Sequence, residues 1–228
     1  MYHFFFALAL ILYGGLVPLF FRRQFVFMKA AGALSIGFGC LLGLVDAIVK
    51  LFHPQIYSAS FRYLNTFSLT FQIDALSSFF LIAIFTVSLL AALYSFHYMD
   101  NPAKAVRTAV HYFFFSLLVT AMALVVTANN LISFMLSWEI MSLSSFFLVV
   151  YNYETGENRK AGYLYFVFTQ VGAMFILAAF GLIYAHSGNF GFADAASLPN
   201  AAKIIVFVLA FIGFGSKAGV FPFHVWLP

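Results

Sequence analysis

Apolar residues in this chain fall in long unbroken runs rather than in alternation. Runs of about 20 such residues can cross a bilayer as a helix. Seven occur, at roughly 2–21, 28–52, 75–98, 111–128, 131–151, 161–185 and 203–221. They are far too long for barrel strands and lack a two-residue period, so the pattern predicts an all-α fold, a polytopic transmembrane helical bundle of about seven spans. Short polar turn signals separate the runs at Asp100-Asn101-Pro102, Glu154-Thr155-Gly156 and Ser187-Gly188-Asn189. The longest connection, about 53–74, holds Pro54 and reads as a loop. It ends at Asp74, a side chain suited to capping the third helix.

Composition fixes the solvent. Hydrophobic residues make up 64% of the chain and charged residues 8%, whereas a soluble domain carries about a quarter charged. The single cysteine, Cys40, lies in an apolar run and excludes both an intrachain disulfide framework and a multi-cysteine iron–sulfur motif. No glycine-rich phosphate loop, catalytic triad or metal-ligand cluster is visible, so no metal site is expected in the chain. His97 and His111 invite a haem reading, but Asp100, Asn101 and Pro102 separate them onto different helices.

The net charge of +4 does not mark a nucleic-acid binder, because basic residues sit singly or in pairs between spans. They read as topology signals. Arg22, Arg23, Lys29, Lys104, Arg107, Arg159 and Lys160 fall on one side and Lys50, Arg62 and Lys203 on the other. Basic loops stay in the cytoplasm, which places the N-terminus and the 53–74 loop outside. Met1-Tyr2-His3 supplies no positive charge ahead of the first span, and Arg22-Arg23 follows it. Neither a cleaved signal peptide nor a twin-arginine export motif fits that order.

Three charges fall within the spans: Asp46, Glu139 and Lys217. A charge near a helix centre costs about 2.5–3.5 kcal/mol on insertion scales, so each needs a partner or a wet cavity. Asp46 has Lys50 one helical turn away, near the interface where the pair can be solvated. Glu139 lies roughly 12 Å into its span with no basic residue on its own helix. It is either partnered from elsewhere or a permanently protonated acid bonded to a serine. Ser142 shares its face, and Ser133, Ser137, Ser144 and Ser145 permit close packing and leave room for water. Lys217 is the other deep charge of opposite sign. Gly213 and Gly215 before it, and Gly219 and Pro222 after it, predict that the last span is a broken helix. Broken helices at membrane depth are how ion sites are built. Thr169 and Gln170 add a polar step on the intervening span.

The stretches "SWEIMSLSSFFLV" and "GFGSKAGVFPFHVWLP" together resemble the antiporter-like proton-translocating subunits shared by respiratory complex I, multisubunit cation/proton antiporters and energy-converting hydrogenases. Within that superfamily they are most like the formate-hydrogenlyase, hydrogenase-4 type. "FQIDALSSFF" and "GYLYFVFTQVG" extend the resemblance over most of the chain. It implies that residues 1–110 are N-terminal transmembrane helices and 111–228 a first antiporter-like repeat, incomplete at its C-terminus. It also implies that Glu139 is the ion-pair glutamate and Lys217 the proton-carrying lysine, with His224 the histidine of the loop motif. Iron–sulfur clusters and a nickel–iron or flavin centre are then expected only in partner subunits, namely other membrane-arm subunits and a peripheral redox arm.

Members of this family continue into a second, inverted helical repeat, and this chain stops at Pro228. The expectation is either a separate chain supplying that repeat or a truncated product. Two functions remain open. In one, the chain translocates protons: dehydration and a facing carboxylate act in opposite senses on the lysine's protonation, so drawing Glu139 away or back makes a switch. In the other it is a non-transporting assembly subunit or remnant, whose Glu and Lys hold helices together.

Overall fold

The computed structural model of the protein describes residues 1–53, 55–63 and 67–226; Pro54 and the closing Leu227-Pro228 of the loop motif lie outside the described residues. In chain order the elements are α1 (Tyr2–Phe20), α2 (Phe25–Phe52), β1 (Tyr57–Tyr63), β2 (Phe67–Ile73), α3 (Ala75–Tyr98), α4 (Ala105–Thr127), α5 (Leu131–Val149), α6 (Gly156–Ser187) and α7 (Asn200–Ala218). All seven helices are long and apolar enough to cross a membrane. The seven-span helical bundle expected from the apolar runs is the fold observed.

Helices α1 to α4 close around a core in which Phe4, Ile11, Ile36, Phe85, Tyr112 and Val119 are fully buried. Helices α5, α6 and α7 pack in sequence beyond α4. Outward-facing residues of α3, among them Phe79, Val87, Leu90 and Leu93, stay exposed. In a soluble protein such a surface would aggregate; here acyl chains solvate it. The α6–α7 crossing depends on missing side chains. A Cβ at Gly172 would stand 1.9 Å from the Ser216 hydroxyl oxygen, and one at Gly213 2.8 Å from the Gly172 carbonyl oxygen. Small residues let membrane helices approach closely, which replaces the hydrophobic drive that lipid removes.

The 53–74 connection is not an irregular loop. β1 and β2 pair as an antiparallel hairpin, in register from Tyr57 opposite Ile73 to Tyr63 opposite Phe67. Alternation in "FSLTFQI" puts Phe71 and Ile73 inward and buried. The hairpin is anchored to the start of α5: Asn129 N–H donates to the Thr70 carbonyl at 2.8 Å, Thr70 N–H to Ser133 Oγ at 2.8 Å, and Asn130 Nδ2 to the Ser68 carbonyl at 2.6 Å. Asn130 also caps α5 by accepting from Ser133 N–H, and Asp74 caps α3 by accepting from Ser77 N–H, as its position in the sequence suggests.

Charged residues gather at both ends of the bundle. At the end carrying the α3–α4 and α5–α6 connections, Arg107 pairs with Glu154, and that hydrogen bond holds the Glu154 carboxyl below its ordinary range. Lys104 donates to Asn152 Oδ1 at 3.3 Å. Lys29, expected among solvated loop charges, is instead buried one turn into α2. It donates to Asp100 Oδ1 at 2.6 Å and to the Phe96 carbonyl at 3.0 Å, between the rings of Phe25 and Phe96. At the other end Lys50 pairs with Asp46 one turn away, as the spacing suggests. The pair is not solvated, however: Lys50 is buried, with its ammonium 5.1 Å from the Tyr57 ring of the hairpin.

Candidate functional site

Glu139 and Ser142 lie one turn apart on α5, Thr169 and Gln170 on α6, and Lys217 in the last turn of α7. The helices bring four of these together, though not in the expected direct pairing. Lys217 Nζ donates to Ser142 Oγ at 2.8 Å and sits 5.0 Å from the Trp138 ring centroid. Glu139 Oε2 instead accepts from Gln170 Nε2 at 3.2 Å. Among the described residues the ion pairs are those of Lys29, Lys50 and Arg107, so Glu139 and Lys217 are neighbours without a salt bridge. The physical substitute is clear. A hydroxyl oxygen and the negative face of an indole meet the ammonium, while an amide N–H meets the carboxylate.

Thr169 is buried and donates to the Phe166 carbonyl of its own helix, so it packs beside the cluster rather than joining it. Ser137, Ser144 and Ser145 likewise donate to α5 carbonyls one turn back, which leaves those hydroxyl protons committed rather than available to water. Trp138 was not singled out by sequence reasoning. Its signal was its spacing, because position 138 lies four residues before Ser142 and therefore on the same helix face.

The helix break lies immediately beyond Lys217. α7 runs unbroken through Gly213 and Gly215 and ends at Ala218, so these two glycines do not interrupt it. Gly219 takes a left-handed conformation with φ of 70°, which glycine adopts without a Cβ clash. The N–H groups of Gly219 and Val220 both turn back onto the Gly215 carbonyl. Past Pro222 the chain makes a short 3-10 turn over Phe223–Trp226. From it Trp226 Nε1 reaches back to donate to the Ser216 carbonyl at 2.8 Å, its indole edge-on to the buried Tyr165 ring at 5.2 Å. Two carbonyls freed by the break are thereby satisfied by protein, the condition for a helix to end at membrane depth. His224 is exposed and stacks on the Phe221 ring at 5.5 Å. Among the described residues it is not part of the Glu139–Gln170 and Lys217–Ser142 contacts.

Seven apolar helices, the last ending one residue after a half-buried lysine, define a polytopic membrane polypeptide. The family model described as NADH:quinone oxidoreductase/Mrp antiporter, transmembrane, matches residues 128–228. The one described as the N-terminus of chain 5 of NADH-ubiquinone oxidoreductase (complex I) matches residues 63–107. Hydrogenase-4 component B of Escherichia coli K12 is 33% identical over 97% of this chain and 34% of that protein. Among solved structures, a chain of the membrane-bound sulfane sulfur reductase, an archaeal respiratory membrane complex, superposes with a TM-score of 0.78 at 27% identity, over 96% of this chain and 35% of that one. A chain of the Mrp complex from Dietzia sp. DQ12-45-1b gives 0.80 at 20% identity over 99% of this chain and 25% of its own, a likeness of fold. The chain belongs to the NADH:quinone oxidoreductase/Mrp antiporter family. It spans about a third of the length of the hydrogenase relative.

Proposed function

We propose that this chain translocates protons within an energy-converting oxidoreductase complex, with Lys217 as the carrier and Glu139 as the group that sets its readiness to release. The observation that carries this reading is the Lys217 ammonium on Ser142 Oγ, at a helix end, one turn from a carboxylate that is held elsewhere by Gln170. The arrangement suits one arm of a two-position switch. With Glu139 on Gln170, Lys217 has only a neutral acceptor and gives up its proton more readily; with Glu139 turned towards Lys217, the charged lysine is favoured. Ser142 accepts from the ammonium and so holds Lys217 in place while Glu139 is on Gln170. Each proton moved against the membrane potential costs about 2.3 kcal/mol per 100 mV. That work comes from redox chemistry in a peripheral arm, whose iron–sulfur, nickel–iron or flavin centres belong to other chains. A second helical repeat, on this polypeptide or another, receives the proton. The membrane is the prokaryotic inner membrane and the N-terminus lies outside.

The test is proton uptake into inverted vesicles carrying the whole complex, measured with the yield of assembled complex. Lys217→Met keeps an unbranched stem and is expected to abolish uptake with assembly largely retained; Glu139→Gln is expected to impair it. Normal uptake in Lys217→Met, or recovered uptake in the double variant, would leave the two residues as scaffold.

A further inference from the structure

At the end of the bundle that carries Arg107, α4 and α5 diverge and leave a cleft of about 290 Å³. Its polar lining is Arg107, His111, Tyr151 and Tyr153, and its apolar wall includes Phe114 and Phe147. Positions 107, 111 and 114 share one face of α4, so the cleft descends from a cation in the first turn to a ring about 10 Å deeper. Phe114 and Phe147 stack at 4.2 Å to form that deeper wall. Among the described residues two nitrogens in the cleft are buried without a hydrogen-bond partner: Arg107 Nη1, a donor, and His111 Nδ1, a donor in the tautomer that carries its proton there. On the same guanidinium Nη2 donates to Glu154, and its central carbon stands 4.8 Å from the Tyr153 ring centroid. Lys104 borders an adjoining hollow that shares Val106 and Arg107 with the cleft.

We infer that this cleft binds one anionic phospholipid, its phosphate oxygens accepting from Arg107 Nη1 and from His111 with the proton on Nδ1, and an acyl chain lying along Phe114 and Phe147. Three observations select that occupant. An unpaired buried donor carries a desolvation cost that an acceptor removes, and two such donors one turn apart call for a group with several acceptor oxygens. Arg107 and Lys104 together exceed the charge of Glu154, so the mouth is cationic, and basic pockets at this depth attract acidic headgroups. The deeper wall is hydrocarbon, and Phe147 in it is exposed on the outer surface of the bundle. A neighbouring apolar helix would fill the lower half and leave both donors orphaned. Water would satisfy the donors and leave the aromatic wall wet. The site lies outside the Lys217 cluster and stands whether or not Lys217 carries protons.

The experiment uses the full chain within its native complex, purified in mild detergent. It is titrated with phosphatidylglycerol and with phosphatidylcholine of identical acyl chains, and retained lipid is read by native mass spectrometry. Phosphatidylglycerol is expected to be held about tenfold more tightly than phosphatidylcholine. His111→Phe keeps a ring stacked on Phe115 and edge-on to Tyr151 and removes the donor; it is expected to weaken phosphatidylglycerol binding by about five- to tenfold. Val110→Trp, which fills the cleft, is expected to abolish the preference. Should Arg107→Gln fail to assemble through loss of the Glu154 pair, these two variants still decide. Equal retention of both lipids, unchanged binding in His111→Phe and Val110→Trp, or no retained lipid because water or another polypeptide occupies the cleft would each overturn the assignment.

Discussion

Ser142 is the residue on which the candidate site turns, since its hydroxyl is the acceptor that keeps the Lys217 ammonium from being orphaned in the bundle. Removing one partner of a buried charged donor leaves the full desolvation cost, about 1–3 kcal/mol or more. Ser142→Ala is therefore expected to lower complex stability by roughly that amount and to depress proton uptake, whereas Ser142→Thr, which keeps the hydroxyl, restores both. Chemical denaturation of the purified complex, together with vesicle uptake, checks the pair. Gln170 provides the matching test from the other side. Gln170→Leu frees Glu139 from the side-chain donor it has among the described residues, and the carboxylate is expected to turn to Lys217 and hold its proton, so uptake falls without loss of assembly. Unchanged uptake in that variant would remove the switch from the mechanism. The pair of buried Lys29 with exposed Asp100 behaves differently: Asp100→Asn keeps an oxygen that accepts from Lys29, which also retains the Phe96 carbonyl, so assembled yield is expected to change little.

Elements are held by features that differ in how far the sequence discloses them. At the α6–α7 crossing, Gly172→Val places a branched side chain where Ser216 already sits, and loss of folded protein is expected, read as the monodisperse fraction in size-exclusion chromatography. Gly181→Val, on the same helix but with open space at its Cβ, is the control and is expected to fold. The seven helices were legible because lipid imposes one simple requirement, a long apolar run. Helix ends were less so. α4 begins at Ala105 and α6 at Gly156, several residues before their apolar runs, because polar first turns such as Glu157-Asn158-Arg159-Lys160 stand outside the hydrocarbon and carry no hydropathy signal. The β1–β2 hairpin was hidden for another reason. Its alternation of Phe67, Leu69, Phe71 and Ile73 with Ser68, Thr70 and Gln72 is short, and was subordinated to the longer period around it. In the site, Glu139, Ser142, Gln170 and Lys217 were each legible as polar residues at the wrong depth. Their pairing was not, since which of two acceptors an ammonium takes depends on helix rotation, which no single span encodes.

For the molecule as a whole, alternation of connections between its two ends is the global constraint. The hydrogen bonds from Lys104 to Asn152 and from Arg107 to Glu154 tie the α3–α4 and α5–α6 connections together, and the hairpin joins the α4–α5 turn at the opposite end. If the basic end is cytoplasmic, cysteines introduced as Ala103→Cys and Glu157→Cys are expected to label only in inverted vesicles, and Ser58→Cys only in intact cells. The native Cys40 is buried in α2 and leaves a silent background. Labelling of position 103 from outside would reverse the orientation.

The indole of Trp226 closes residues 216 to 226 into a ring, pinned at one point to the Ser216 carbonyl. Lys217 is the second member of that ring, so it cannot keep its place if the ring is pulled or tilted. A push on the Phe221–Trp226 segment would reach the Ser216 carbonyl, one peptide bond from the Lys217 backbone. Distance in the membrane is thereby exchanged for a short lever, and Trp226→Phe, which keeps the bulk and opens the ring, is expected to leave the bundle folded while uncoupling the lysine from whatever moves that segment.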